Sequence, residues 1–212
     1  MADLRSLQND ITRAADNPAA AATARRRLVD ALDADPSPEA HAAVAEALYR
    51  LGVTTLLAGK DLDGAMELFK RAVEKKQAEW SPLARTSWAL TMHAKGKHQQ
   101  AVFELRKVIP PGAPTPAAAT ALVLLCQVLR DMKAKPSEIE KADKERITAL
   151  EQLVAGAPPG ADRAHWQFLL AVAHREGGSR AECKKHLQEV VALGKAAGDP
   201  TLAAARDLLK GM

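Results

Sequence analysis

The chain has 212 residues, enough to bury a sizeable core in one domain or a short repeat array. Hydrophobic residues make up 47%, but 44 residues are alanine and aromatics reach only 3%. This composition suits helices packed closely through small side chains and argues against a sheet protein built on β-branched and aromatic runs. A formal charge of +4 and a pI near 9.1, with 26% charged residues of both signs, describe an ordinary soluble surface and do not by themselves imply nucleic acid.

Prolines set the punctuation, because proline fits the first turn of a helix and breaks its interior. Read in chain order, the periodic segments predict helices at 2–15, 18–33, 38–58, 61–77, 82–95, 97–109, 116–133, 137–155, 161–176, 179–196 and 200–210. Five prolines follow a capping residue: Asn17-Pro18, Ser37-Pro38, Ser81-Pro82, Thr115-Pro116 and Asp199-Pro200. Each pair reads as N-cap and first helical residue. Asp61 is a further N-cap candidate, and Ser137 with Glu140 and Ser179 with Glu182 read as capping boxes. The links are short, so successive helices are expected to pair antiparallel, as five hairpins and a last helix. The opening "MADLRSLQND" has no apolar core of a signal peptide. The longest uncharged stretch is broken by prolines, too short for the roughly 20 apolar residues of a membrane span. Two helical cysteines suggest no disulfide framework, so a cytoplasmic protein is expected.

One turn-into-helix phrase recurs: "GKDLDGAMELFKRAV" from Gly59, "GKHQQAVFELRKVI" from Gly96 and "GGSRAECKKHLQEVV" from Gly177. A small residue (Ala65, Ala101, Cys183) is followed four positions on by a large one (Phe69, Leu105, Leu187), and three further by Ala72, Val108 or Val190. That spacing puts all three on one helix face. The pattern resembles the second helix of the tetratricopeptide repeat (TPR), and Ala101 lies 36 positions after Ala65, near the family period of about 34. In the preceding helices Leu51-Gly52, Trp88-Ala89 and Leu170-Ala171 stand for the family's Leu-Gly pair, the first shifted by one position. The family tyrosine that follows is absent, with Leu56, Met92 and His174 in its place.

The resemblance covers 38–109 well and 161–196 less fully; 1–33 and 116–155 keep the helical period without the signature. It implies an all-α, right-handed superhelix of antiparallel hairpins. One repeat domain over 1–212 would have a degenerate hairpin at 1–35, two best repeats at 37–109, a divergent hairpin at 115–156, a last repeat at 161–196 and a capping helix at 199–212. It also implies a concave face lined by the first helix of each hairpin. Arg50, Thr54, Thr86, His93, His165, Phe168 and Arg175 are the expected exposed positions there, with Phe168 an apolar anchor and the arginines pairing with carboxylates. The bland reading is that each is an ordinary surface residue.

Catalytic motifs are missing: no G-x-S-x-G, P-loop, H-E-x-x-H or G-x-G-x-x-G. "DLDG" at 61–64 fails as a calcium loop, because Gly59 and Lys70 fall where carboxylates are needed. Cys183, His186 and His174 are too few for zinc and lie beside Lys184 and Lys185; the bland reading is a buried cysteine with His186 exposed. The run Arg25–Arg27 meets Asp30, Asp33 and Asp35 at once, which favours a solvated helix face over a nucleic-acid surface. Trp80, Trp88 and Trp166 read as packing between hairpins before partner anchors. The chaperone-binding carboxylate clamp of some family members needs asparagines in the repeats, and only Asn9 and Asn17 occur. The expected function is that of a non-enzymatic adaptor without cofactor or metal, binding a partner peptide or helix in the groove, with self-association open. The alternatives are a regulator touching nucleic acid through Arg25–Arg27 and an enzyme on a helical scaffold.

Overall fold

The computed structural model describes residues 3–59, 61–110, 112, 114–194 and 200–212. They form eleven helices and no strand: α1 (Leu4–Arg13), α2 (Pro18–Leu32), α3 (Pro38–Ala58), α4 (Leu62–Glu74), α5 (Trp80–Ala94), α6 (His98–Arg106), α7 (Pro116–Asp131), α8 (Pro136–Gly156), α9 (Ala161–Glu176), α10 (Arg180–Leu193) and α11 (Pro200–Lys210). The chain divides into two compact units, Met1–Val108 and Ile109–Met212.

Helix starts follow the cap chemistry at four places. Asn17, Ser37, Asp61 and Thr115 each accept a bond from a free N–H of the first turn. At three places they depart from it. Ser81 lies inside α5, which begins at Trp80; its hydroxyl donates instead to the carbonyls of Ala72 and Val73 at the end of α4. Pro136 takes the first position of α8, so Ser137 is already helical and cannot cap it. Ser179 precedes α10 without a side-chain cap bond. The Asp199 cap lies outside the described residues.

The repeated phrase is one turn and one packing face. Gly96 (φ 73°) and Gly178 (φ 78°) are left-handed, and the next N–H bonds five residues back, Lys97 to Met92 at 2.9 Å and Ser179 to His174 at 2.8 Å. The α7–α8 turn has the same bond, Ala134 to Leu129 at 2.9 Å, with Lys133 (φ 54°) in the glycine's role. All nine signature residues, from Ala65 to Val190, are buried.

In the first unit Phe69 and Ala72 of α4 join Val44, Leu48 and Leu51 of α3 and Leu28 and Leu32 of α2 in one cluster. A Cβ on Gly52 would lie 2.6 Å from the Phe69 ring, so α3 can approach α4 only because that position has no side chain. In the second unit Cys183, Leu187 and Val190 pack with Ala171 and Ala205, and Leu150 packs with Ala119, Leu170 and Ala173.

Helix α8 supplies a signature that the sequence hides. Ala142, Arg146 and Ala149 have the small–large–small spacing and are all buried, with an arginine in the large position. Its guanidinium lies 3.0 Å from Asp143 and 2.8 Å from Glu176. Arg130 meets the same carboxylates at 2.7 and 2.9 Å, tying α7, α8 and α9 together. Beside this network Cys126 is fully buried, and that burial pushes its thiol up to about 12, leaving a protonated, unreactive group at neutral pH.

Candidate functional site

Of the residues expected on the binding face, the first unit brings Arg50 and Thr54 together. They line a cavity of about 270 Å³ with Arg25, Tyr49 and Val53. A second cavity of about 220 Å³ is walled by Ile11 and Thr12 of α1, Arg25 and Leu28 of α2, and Ala43, Glu46 and Ala47 of α3. Arg25 is common to both.

The charges around these cavities do not balance. Arg50 Nε donates to Glu46 Oε1 at 2.7 Å, one turn back on α3, and its guanidinium lies 5.4 Å from the Trp80 ring centre. Tyr49 packs against Trp80, centroids 5.8 Å apart, so both aromatics shore up this side. Arg25 is half-buried and makes no side-chain hydrogen bond or ion pair among the described residues. Burial and the neighbouring Arg50 charge hold its pKa below the ordinary value, and Glu46 only partly opposes them.

From the sequence, Arg25 reads as part of a solvated basic run and Trp80 as packing between hairpins. In the structure Arg25 turns into the cavity wall while Arg26 and Arg27 stay exposed, so the three do not form one basic stripe. The signal for the pair was faint: Glu46 and Arg50 at helical spacing, with a second arginine on the preceding helix.

Thr86 corrects an expectation. It is buried, its hydroxyl donating to Pro82 O at 2.9 Å, because α5 packs on α3, α4 and α6 and has little free face. His93 is half-buried and shares a 2.8 Å Nδ1–Nδ1 hydrogen bond with His98. In the second unit His165, Phe168 and Arg175 lie along α9. His165 and Arg175 are exposed, whereas Phe168 leans on the Ala171–Cys183 cluster.

His186 is a further correction: it is not exposed. Its side chain retains 13% exposure, stacks on His174 at 5.3 Å and hydrogen-bonds Gln167 Oε1 at 2.7 Å through Nδ1. Cys183 faces Met212, Sγ to Sδ 3.9 Å. Burial first, then the His174 and Lys185 charges, lower the His186 pKa, against Glu182 and Glu151. The unfolded chain therefore takes up this proton more readily, at about pH 6.5. The stability that neutral His186 contributes is full above that pH and is lost as pH falls through the folded value. Urea titrations at pH 7.5 and 5.5 are expected to show a larger loss for the natural chain than for His186→Gln; equal losses would refute the assignment.

Comparison with known proteins agrees with this architecture. A tetratricopeptide repeat family profile matches residues 46–75, the second half of α3 and all of α4. No curated protein sequence matches the chain. Among solved structures, the kinesin light chain-like, nearly identical TPR-like repeats of Podosopora anserina align with a TM-score of 0.57 at 20% identity, over 90% of this chain and 93% of that one. BtubC (BKLC) from P. vanneervenii aligns at 0.64 and 16% identity, over 97% and 82%. MamA aligns at 0.50 and 17%, over 93% and 98%. At these identities the likeness shows the fold. Among the described residues no helix is long and apolar enough to cross a membrane.

Proposed function

We propose that this chain, built of TPR-like helical repeats, acts by binding another protein, and that a partner segment docks on the first unit at the cavity lined by Arg25, Tyr49, Arg50, Val53 and Thr54. The observation that carries the reading is the chemistry of that cavity. It combines an aromatic wall, a hydroxyl and two guanidiniums, one of them unpaired, between helices α2 and α3. Such a mixture suits a polypeptide with apolar and polar side chains. His93 on α5 is proposed as a secondary contact in the first unit, and His165, Phe168 and Arg175 on α9 as separate partner contacts of the second unit taken by itself. Nucleic acid is the less favoured partner, because Arg25 stands in the cavity wall apart from the exposed Arg26 and Arg27, so the basic run does not form one stripe.

The test is affinity capture with the full chain against an Arg50→Glu/Thr54→Trp variant of equal helicity. The expected result is a protein retained by the natural chain and lost with the variant. Identical captured sets would overturn the placement, and nucleic acid as the sole captured species would overturn the reading.

A further inference from the structure

The paired cavities on either side of Arg25 have a charge pattern that selects among peptides. Resting on the proposed docking at this site, we infer that the occupant is an acidic–apolar segment of a partner chain: an Asp or Glu side chain held between Arg25 and Arg50, with a neighbouring apolar side chain in the cavity walled by Ile11, Leu28, Ala43 and Ala47.

Charge complementarity argues for the acid. Two guanidiniums share one carboxylate, Glu46, and it is committed to Arg50 at 2.7 Å. Among the described residues Arg25 makes no side-chain hydrogen bond or ion pair at its half-buried position and its donors stay open to solvent, so an incoming acceptor can take them without displacing a protein partner. A carboxylate entering the Tyr49–Thr54 cavity meets Arg25 and Arg50 together and can accept from both. Shape argues for the apolar neighbour. The adjoining cavity of about 220 Å³ has Ile11, Leu28, Ala43 and Ala47 in its wall and shares Arg25 with the first, so consecutive or near-consecutive side chains can fill both.

The arginine pair also separates a binding role from a structural one. A structural Arg25 would make its replacement destabilising. Arg25→Met keeps the apolar stem and removes an unpaired charge beside Arg50, so the variant is expected to melt at the same or a higher temperature while losing acidic ligands.

The experiment is selection of synthetic octapeptides, acetylated and amidated at their ends and randomised in sequence, on the full chain. Binding of the winners is then measured by fluorescence anisotropy. The expected result is enrichment of Asp or Glu beside Leu, Ile or Met. Affinity should fall about tenfold or more on Glu→Gln in the peptide or Arg25→Met in the protein, as for loss of a charge-assisted bond, and should weaken with added salt. Winners without acid enrichment that are still lost with Arg50→Glu/Thr54→Trp would overturn the acidic occupant and leave the docking site standing. Winners indifferent to that variant would sink the site itself. Selection of no peptide would overturn the inference, as would a winner that binds more tightly when resynthesised with phosphoserine for its acid or with a free C-terminal carboxylate for its amide. A melting temperature that drops with Arg25→Met would assign Arg25 to the fold.

Discussion

Arg146→Ala is expected to destabilise the second unit by about 3–5 kcal/mol, the range for removing one partner of a buried ion network. Arg146 is only 2% exposed and ranks first by volume among the fully buried side chains. It stands in α8 where Phe69, Leu105 and Leu187 stand in α4, α6 and α10. Alanine therefore leaves a cavity as well as two carboxylates short of one cation. Arg130 retains both Asp143 and Glu176, which limits the electrostatic part of the loss. Arg146→Leu refills the volume and is expected to cost clearly less than alanine. Arg146 Nε is buried without a hydrogen-bond acceptor, so the native arrangement is itself not fully satisfied. Urea unfolding followed by circular dichroism checks the order; a leucine variant as unstable as the alanine variant would mean that charge, not volume, dominates.

Phe69→Ala is expected to cost the first unit a similar amount, about 3–5 kcal/mol, as the loss of a large buried aromatic does. The ring lies on Gly52 and against Tyr49, 6.2 Å between centroids, and is wholly buried. The same contact makes Gly52→Ala an overpacking substitution: the new Cβ would sit 2.6 Å from ring carbon Cε1 of a wholly buried side chain, which must shift to admit it. The expected cost is about 1–3 kcal/mol despite alanine's better helix propensity. In a Phe69→Leu background Gly52→Ala should cost less, a coupling of about 1 kcal/mol. The same cost in both backgrounds would show that Gly52 is required for a reason other than the ring.

The fold was legible because local and tertiary signals coincided. The cap-and-proline pairs at Asn17, Ser37 and Thr115 fixed helix starts, and the small–large–small spacing marked the faces of α4, α6 and α10. Where the fold was hidden, the physics had been met by an unusual residue. Lys133 holds a left-handed turn written as glycine elsewhere, and Arg146 fills a large core position with a compensated charge. A search for glycine and large apolar residues passes over both, so α7–α8 read as divergent. The site was less legible because it depends on contacts between helices. Arg50 and Thr54 lie one turn apart and could be found together. Arg25 joins them only through the packing of α2 on α3, and its neighbours in sequence pointed to a charged surface instead. Thr86 was misread because the number of helices around α5 is a tertiary fact.

Helix α1 contributes Gln8, Ile11 and Thr12 to the wall of the smaller cavity, yet none of its residues is buried. Its anchorage is Leu4, Leu7 and Ile11, each only partly covered. A helix held this lightly is expected to open more readily than the core beneath it and to exchange its amides through small local excursions. Whatever fills the cavity must also hold α1 in place, and part of the binding free energy goes into that ordering. Slowed deuterium uptake across Leu4–Arg13, with little change in α4, would thus report an occupied site without any label on the ligand.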